Sequence, residues 1–401
     1  MKPKSFMLIA GEASGDLLAA ELVSALRNAL AANPQSAIRN PQFFGAGGPE
    51  MIGTGVELAF DMTQHSVIGM SDVLKNYFKF QRLFNQLLAL AIERQPDAII
   101  GVDFGGFNLR FGHAIKEYVR NHRSASMPWN PKIIQFVSPQ VWASRPRRAN
   151  LIAADYDLLL SIFPFEKDWY AQHAPKLRVE FVGHPMVERF VSEGRVPRAP
   201  ISDELGTRGA RPSEILLLPG SRPDELRRHL PVMLGALKLM QEKLPASRVK
   251  MVLPNKALKI IADRLSMLQP DVEIQVGELP KALAEADVAI ASTGTVTMEC
   301  AFFGVPTVTL YKTSWLTYQI GKRIVTVKSL TMPNLLANEE VFPEFVQNTA
   351  TTENISHTAL ELLQNESRRA QIKKRLAEIV SQLGGSGASQ RAATAILSLF
   401  P

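Results

Sequence analysis

The segment Phe6–Asp16 has the sequence FMLIAGEASGD, and LLAAELV follows it at 17–23. An apolar run, a small polar turn and a run with helical periodicity predict a β-strand, a tight turn and an α-helix. Ser14 and Asp16 are preferred N-cap residues, so we expect the helix to begin there with its free N–H groups above the strand. Open α/β sheets bind ligands at such turns, and this one suits a polyhydroxylated or phosphorylated molecule. An ordinary capped turn would have the same pattern.

The same alternation of short apolar runs and helical segments continues along the chain. Most runs are continuously apolar, as parallel strands buried on both faces are. We predict strands at Ser5–Ala10, Gln42–Gly45, Ala98–Val102, Ile133–Val137, Leu158–Ile162 and Val179–Val182, and in the second half at Ile215–Leu218, Val249–Leu253, Glu273–Val276, Val288–Ala291 and Thr307–Leu310. The pattern indicates an α/β protein with two doubly wound, Rossmann-like domains in tandem.

A stretch rich in Gly, Pro, Arg and Ser, Ser192–Pro212, separates the two strand series and is the predicted linker. We therefore expect an N-terminal domain at 1–190 and a second domain at 191–353. The remaining region, 354–401, has no strand signal. Its helices are expected to pack back on the first domain or on the second subunit of a homodimer.

The composition favours anionic partners. The 401 residues include 45 Lys and Arg against 38 Asp and Glu, a formal net charge of +7. Such a balance suits phosphates or an acidic membrane surface, whereas no nucleic-acid-binding signature is present. No run approaches the roughly 20 apolar residues of a spanning helix, so we expect a cytoplasmic protein that contacts a membrane at most peripherally. The single cysteine, Cys300, is predicted to lie in the core, and the histidines lack metal-site spacing.

Asp103 follows the apolar strand Ala98–Val102 directly. An acidic residue at the carboxyl end of a buried parallel strand points into the ligand crevice, and burial there would raise its pKa towards the value that suits a general base. The alternative is an aspartate that only orders the following turn and caps the next helix.

The loop 137–148, VSPQVWASRPRR, follows the next strand. Its aromatic residue and arginines suit an anionic or sugar ligand, and this makes Ser138 and Trp142 candidate ligand contacts. A solvated basic loop, with Trp142 as a packing anchor, explains the same sequence equally well.

Two turns in the second half resemble phosphate sites. Gly220, Ser221 and Arg222 lie between a strand and a helix, where N–H groups could bind an anion. Ser292–Glu299, STGTVTME, places hydroxyls and a glycine at the same kind of junction. It is neither a Walker motif nor G-x-G-x-x-G. Plain capped helices remain the alternative for both turns.

Apolar residues at helical spacing between Val73 and Ala91 are flanked by Lys75, Lys79 and Arg82. The pattern fits an interfacial helix on an anionic membrane, or a core-facing helix with a solvated basic side. The pair Asp155 and Asp157 has a spacing that many glycosyltransferases use for a metal, but it precedes a strand, and we interpret it as structural.

The chain resembles the lipid-A-disaccharide synthases, membrane-associated glycosyltransferases of lipopolysaccharide assembly. The resemblance covers nearly the whole chain in order. The segments that carry it are Gly11–Asp16, Val67–Met70, Gly101–Asp103, Phe107–Asn108, Val137–Pro139, Val141–Ala143, Phe163–Glu166, Val182–Pro185, Leu218–Arg222, Ser292–Thr295, Glu299 and Met332–Leu336.

This resemblance implies a GT-B glycosyltransferase fold, with two Rossmann-like domains facing a cleft, and an inverting, metal-independent reaction without a cofactor. A 2,3-diacylglucosamine unit passes from its UDP derivative to the 6-hydroxyl of 2,3-diacylglucosamine 1-phosphate, which gives a β-linked disaccharide and UDP. The protein would act at the cytoplasmic face of the inner membrane, against its anionic surface.

The resemblance also implies roles for individual residues. Asp103 would be the catalytic base. Glu12, Ser14 and Asp16 would line the acceptor side, together with Ser138 and Trp142. The residues implied to hold UDP are Gly220, Ser221, Arg222, Thr293, Gly294, Thr295, Glu299 and Asn334. Two other functions fit this architecture: a UDP-sugar epimerase, and a non-catalytic protein that binds a membrane surface.

Overall fold

The computed structural model describes residues 3–33, 38–65, 77–122, 124, 128–192, 212–265 and 272–400. The chain divides into two compact units, one formed by Met1–Glu188 with Leu383–Pro401 and the other by Arg189–Gln382. Most of the predicted linker, 193–211, lies outside the described residues, as does the resembling segment Val67–Met70.

The first unit is built on a parallel sheet with the strand order β3-β2-β1-β4-β5-β6-β7. Its strands are β1 (Ser5–Ala10), β2 (Gln42–Gly47), β3 (Glu57–Asp61), β4 (Ala98–Val102), β5 (Lys132–Phe136), β6 (Leu158–Ser161) and β7 (Val179–Phe181). The two central strands, β1 and β4, are buried along their whole length, which explains their uninterrupted apolar sequences.

Helices connect these strands on the two faces of the sheet. They are α1 (Ala13–Ala31), α2 (Pro49–Gly53), α3 (Tyr77–Arg94), α4 (Gly105–His122), α5 (Val141–Ser144), α6 (Arg148–Asp155), α7 (Pro164–His173) and α8 (Pro185–Ser192). The predicted domain boundary at 190/191 lies within α8, close to the division between the units.

The second unit repeats the architecture with the strand order β10-β9-β8-β11-β12-β13, again parallel. Its strands are β8 (Glu214–Leu218), β9 (Arg248–Leu253), β10 (Val272–Val276), β11 (Val288–Ser292), β12 (Thr307–Tyr311) and β13 (Glu344–Val346). Its helices are α9 (Pro223–Lys243), α10 (Lys256–Leu265), α11 (Leu279–Glu285), α12 (Thr295–Phe302), α13 (Trp315–Ile324), α14 (Met332–Ala337), α15 (Thr352–Gln364) and α16 (Glu366–Ser381).

The last helix, α17 (Ala388–Leu397), packs on α1 and so belongs to the first unit. The expected C-terminal region 354–401 is therefore divided, because α15 packs on α9 and α16 packs on α12 and α14. Only Leu383–Pro401 returns to the first unit.

Every predicted strand is present to within a few residues, whereas the sequence analysis missed β3 and β13. Both lie at an edge of their sheet. Edge strands are covered on fewer sides, and the residues of β3 and β13 are half-buried or exposed. They therefore lack the continuous apolar run that identified the inner strands.

In both sheets the strand order reverses at one place, between β1 and β4 in the first unit and between β8 and β11 in the second. Doubly wound sheets bind ligands beside the carboxyl ends of the strands at this reversal. The four strands that flank the two reversals are those followed by the candidate turns at Gly11–Asp16, Asp103, Gly220–Arg222 and Thr293–Thr295.

Candidate active site

The turn after β1 differs from its prediction. Helix α1 begins at Ala13 with Glu12 at the N-cap position, so Ser14 and Asp16 lie inside the first turn. Ser14 is exposed and Glu12 is half-buried, while Asp16 is 1% exposed.

The carboxylate of Asp16 faces the protein interior, where it accepts hydrogen bonds from the backbone N–H groups of Gly48 (2.7 Å), Glu50 (2.9 Å) and Met51 (3.2 Å). It holds the N-terminus of α2, where a negative charge is favourable. Asp16 therefore has a structural role in this turn, and its expected acceptor contact stays a prediction.

Asp103 lies in a strained turn at the end of β4. Asp103 and Phe104 have φ values of 50° and 46°, and Val137, at the end of neighbouring β5, has φ of 68°. These values lie in the left-handed region, where a residue with a side chain costs roughly 1–2 kcal/mol, and a β-branched valine is especially rare there. Strain of this kind persists only where the surrounding structure enforces it, and it is concentrated at functional sites.

Two buried amides enforce this turn. The carbonyl of Asp103 accepts hydrogen bonds from Asn108 Nδ2 and Gln135 Nε2, both at 2.8 Å. Gln135 Nε2 also reaches the carbonyl of Val137 at 3.3 Å, and Asp103 N–H donates to the carbonyl of Phe136 at 2.8 Å. The strained ends of β4 and β5 are thus joined.

The amide oxygens of Asn108 and Gln135 have no hydrogen-bond partner among the described residues. Both side chains lie against Gly101, where an added Cβ would be 2.7 Å from Gln135 Oε1 and 2.9 Å from Asn108 Cγ. Sequence analysis gave Gln135 no role, although a polar residue in the apolar strand KIIQF was a signal.

Burial raises the pKa of the Asp103 carboxyl above its ordinary value, and the Phe104 N–H offsets part of this effect. A carboxylate with a raised pKa is a stronger base. The geometry therefore favours the catalytic interpretation of Asp103 over the simple capping one, since the strained backbone presents a desolvated carboxylate at the sheet reversal.

Ser138 and Trp142 lie inside the first unit. Trp142 Nε1 donates to Glu166 Oε1 at 3.0 Å, and the Ser138 hydroxyl lies 3.3 Å from the Tyr170 hydroxyl. Both side chains are buried, and so is Glu166. Their polar atoms serve an internal network, as the packing alternative implies, and the acceptor contacts stay predictions. Burial raises the pKa of Glu166 to about 7.

The arginines of the same loop remain at the surface. Arg145 and Arg147 are exposed, and Arg148 is half-buried. Burial, together with the positive charges of Arg145 and Arg110, lowers the pKa of Arg148 below its ordinary value. Positive charges this close repel one another, and a bound anion would reduce the repulsion.

In the second unit, the turn after β8 is partly closed on itself. Gly220 has φ of 125°, which glycine tolerates. The Ser221 N–H donates to Glu225 Oε2 at 3.1 Å, and Arg222 Nη1 lies 4.0 Å from Glu225 Oε1. The Ser221 N–H, which the sequence predicted to bind an anionic ligand, is therefore already bonded to the Glu225 carboxylate of α9.

The turn after β11 is the better phosphate candidate. Gly294, with φ of 129°, is the N-cap of α12, and the N–H of Thr297 is bonded to its carbonyl at 3.1 Å. Gly294 and Thr295 are exposed, so the first N–H groups of the helix face an accessible space. Glu299, one turn further, is half-buried, and burial raises its pKa to about 7 against the opposing charge of Arg189.

Asn334, the predicted UDP contact of α14, has its side chain inside the second unit. It is buried, and its Nδ2 donates to the carbonyl of Phe342 and to Glu344 Oε1 at 2.7 and 2.8 Å. Its Oδ1 accepts from the N–H groups of Val341 and Phe342, both at 2.8 Å. The whole amide holds the chain between α14 and β13, and its contact with UDP stays a prediction.

His229 is a buried residue of α9 that the sequence analysis missed. Its Nδ1 lies 2.8 Å from the carbonyl of Pro219, and its Nε2 accepts the Lys312 N–H at 3.0 Å. These partners require the neutral ring with its proton on Nδ1. Burial lowers the pKa of His229, which favours the same form. The side chain joins the turn after β8 to the end of β12.

Two simpler predictions concern Cys300 and the pair Asp155 and Asp157. Cys300 is fully buried, as expected for a core residue. Asp155 and Asp157 are paired with basic side chains, which supports their structural interpretation. No three His, Cys, Asp or Glu side chains within the described ranges are grouped as a metal ion would require. Across those ranges, every helix is too short or too polar to cross a membrane.

The apolar stripe between Val73 and Ala91 turns towards the core where it is described. Leu83, Leu87 and Ala91 are buried, which favours the core-facing alternative for this part of α3. Phe78, at the start of the helix, is exposed. Val73 and Lys75 lie outside the described residues.

Comparison with known proteins identifies the family. A family model described as lipid-A-disaccharide synthetase matches residues 6–399. The lipid-A-disaccharide synthase of Trichlorobacter lovleyi is 34% identical over 402 residues, which cover 99% of this chain and 98% of that protein.

Two solved structures are similar over the whole chain. A putative UDP-N-acetylglucosamine 2-epimerase from Listeria monocytogenes has a TM-score of 0.60 at 15% identity and covers 100% of this chain and 97% of its own. The glycosyltransferase of kitacinnamycin has a TM-score of 0.59 at 18% identity, with full coverage of both chains. At these identities the likeness concerns the fold alone, and it confirms the predicted GT-B class of two parallel-sheet α/β domains. From the full-length family match and the 34% identity to a curated relative, we conclude that the chain belongs to the lipid-A-disaccharide synthase family.

Proposed function

We propose that this protein transfers 2,3-diacylglucosamine from its UDP derivative to the 6-hydroxyl of 2,3-diacylglucosamine 1-phosphate, with inversion at the anomeric carbon. The family membership supports this reaction. The observation that carries the mechanism is the strained turn that presents Asp103, a carboxylate with a raised pKa, at the sheet reversal.

In the proposed step, Asp103 takes the proton of the acceptor's 6-hydroxyl as that oxygen attacks the anomeric carbon. The bond from this carbon to the UDP oxygen breaks, and UDP leaves with the electron pair. One displacement converts the α-linked donor into a β-linked product, so a single base suffices. The cluster of Arg110, Arg145 and Arg148 would bind the phosphate of the acceptor.

The second unit would hold the donor. The exposed N–H groups at Gly294 and Thr295 would bind the diphosphate, where the dipole of α12 stabilises the charge that develops on UDP. Glu299 would bind ribose hydroxyls. Arg222 would leave its contact with Glu225 and place its positive charge beside the diphosphate. In this proposal the protein acts at the cytoplasmic face of the inner membrane.

The test is mass spectrometry of the product formed from defined diacylated substrates, with Asp103→Asn as the variant. We expect the wild type to release UDP and a β-linked disaccharide 1-phosphate. The variant should fold and bind UDP, but turn over at least about a hundredfold more slowly. Wild-type turnover in this variant would exclude Asp103 as the base.

A second incubation addresses the epimerase alternative, since a putative epimerase shares the fold. The protein is given UDP-N-acetylglucosamine alone. The transferase proposal predicts that the sugar is recovered unchanged. Formation of an epimer would contradict it.

A further inference from the structure

Helix α13, Trp315–Ile324, lies on the surface of the second unit with none of its 10 residues buried. Trp315 is 73% exposed, Leu316 63% and Ile320 49%. The other exposed large apolar side chains of the described residues are scattered, no more than two to an element. Scattered apolar side chains are ordinary on a surface, whereas a cluster marks an interaction site.

The helix is already formed and firmly attached. The Ser314 hydroxyl caps it by accepting the Thr317 N–H at 3.1 Å. Just before the cap, the Thr313 N–H donates to Gln347 Oε1 at 2.8 Å, and Gln347 Nε2 donates back to the Thr313 carbonyl at 3.1 Å. The apolar side chains are therefore held outward by a fixed backbone.

The charged residues of the sequence segment that contains the helix are all basic. The sequence from Cys300 to Asn338 contains no Asp or Glu. Lys322 and Arg323 form the last turn of α13, and Lys328 follows it; all three are exposed. Within the described ranges, no carboxylate forms an ion pair with any of them. Their charges complement the carboxyl end of the helix dipole, but the dipole alone does not explain the adjoining apolar cluster.

We propose that α13 is a membrane-contacting surface that lies in the interface of an anionic lipid bilayer. Trp315, Leu316 and Ile320 insert among the lipid chains, and Lys322, Arg323 and Lys328 bind lipid phosphates. An apolar helix surface with an indole at one end and cations at the other is typical of interfacial helices. Each cation near an anionic membrane adds to the attraction.

A bilayer is favoured over a protein partner because the cations are unmatched by any acid over the whole segment 300–338. The biological relevance of the contact rests on the proposed function, which places both acylated substrates in a membrane. In the described part of the Val73–Ala91 stripe, Leu83, Leu87 and Ala91 face the core and Phe78 is exposed, whereas α13 exposes three neighbouring apolar side chains.

The experiment measures binding of the full chain, without substrates, to vesicles of phosphatidylethanolamine and phosphatidylglycerol. Vesicles of phosphatidylcholine alone serve for comparison. The variants are Leu316→Ser/Ile320→Ser and Lys322→Glu/Arg323→Glu. The matched control is Ile260→Ser, which changes an exposed isoleucine of α10 in the same unit. We expect each double variant to bind the anionic vesicles at least about tenfold more weakly, and the control to bind as the wild type does.

Brominated lipids provide a direct reading of insertion, because Trp315 is largely exposed, whereas Trp129 and Trp142 are buried and Trp169 is half-buried. They should quench the tryptophan emission of the wild type but not that of Trp315→Phe. Unchanged vesicle affinity in both double variants, or no quenching, would overturn the proposal.

Two further results would show that something other than a membrane occupies the surface of α13. A Leu316→Ser/Ile320→Ser variant that changes only its oligomeric state would identify a contact between copies of the chain. A variant that loses transfer in detergent micelles but keeps vesicle binding would identify a site for a substrate's acyl chain. Either result contradicts the membrane proposal. Failure of the wild type to form the disaccharide would contradict the proposed function and leave the vesicle measurements unaffected.

Discussion

Asp103 is positioned through its backbone. Its N–H and its carbonyl are bonded to the end of β5 and to two buried amides, while its carboxylate lies at the carboxyl edge of the sheet. The buried amides offset the strain of the turn, because a hydrogen bond left unmade in the interior costs more than a left-handed φ angle. The carboxylate that we propose as the base therefore depends on residues that need never touch a substrate.

Replacement of Gln135 by methionine tests this dependence. Gln135→Met keeps the volume but removes the donor to the carbonyls of Asp103 and Val137. We expect turnover to fall about tenfold, because a small displacement of a catalytic group is costly. UDP affinity, measured by calorimetry, should stay unchanged. Unaltered turnover would show that Asn108 alone holds the turn.

Glu166 should make the first unit less stable as the pH rises. Its pKa is about 7 in the fold against an ordinary 4.5, so the folded state binds a proton that the unfolded state has released. The free energy of unfolding should therefore fall between pH 4.5 and pH 7, by up to about 3 kcal/mol from this residue.

The variant Glu166→Gln keeps an acceptor for Trp142 and removes the titration. Denaturant unfolding at several pH values should give equal stability for the two proteins near pH 4.5 and a more stable variant above pH 7. Parallel profiles over the whole range would contradict the assignment.

At the scale of elements, the useful turns are held together by side chains from neighbouring helices. His229 of α9 joins the turn after β8 to the end of β12, and Asp16 of α1 holds the N-terminus of α2. Both residues lie in helices rather than in the sheets. The sheets define where the loops begin, and these bonds decide which loop atoms remain available for a ligand.

His229 should give the second unit the opposite pH dependence. Its pKa is lowered in the fold, so its contribution to stability is complete above the ordinary pKa of about 6.5 and is lost as the pH falls towards the lowered value. His229→Gln supplies a neutral donor and acceptor. The protection factors of β8 and β12 amides, which correct hydrogen exchange for its intrinsic pH dependence, should fall between pH 6.5 and pH 5 in the wild type and fall less in the variant. An equal loss of protection in both proteins would contradict the role of the ring.

At the scale of the whole molecule, each unit has its own sheet and its own reversal of strand order, but the first unit is discontinuous in sequence. Its last helix, α17, packs on α1 after the chain has completed the second unit. Arg391 of α17 fastens this return by donating to the carbonyl of Val182 at 2.8 Å. The stability of the first unit therefore depends on the last residues of the chain.

The substitution Ile396→Ala tests this dependence. Ile396 is fully buried on α17, so its truncation should cost about 3 kcal/mol. Hydrogen exchange should accelerate in α1 but not in β8 or β11. Gln390→Ala, on the exposed side of the same helix, should change neither. Loss of protection in both units at once would indicate a single cooperative unit instead.

The sequence by itself determined the inner strands, the two doubly wound sheets and the turns that follow β1, β4, β8 and β11. Continuous apolar runs are needed wherever a strand is covered on both faces, so this information is local. The resemblance added the family, which the full-length match confirms.

Only the tertiary structure decided which polar side chains remain at those turns. Asp16, at the turn after β1, and two candidates elsewhere, Trp142 and Asn334, carry polar atoms as Asp103 does, but each is bonded inside its unit. Contacts between residues distant in the chain give Gln135 its role in holding the Asp103 turn. Such contacts also divide the C-terminal region between the two units. Such pairings depend on which residues are neighbours in the folded chain. A buried polar group has lost its hydrogen bonds to water, so it is stable only where another protein group replaces them.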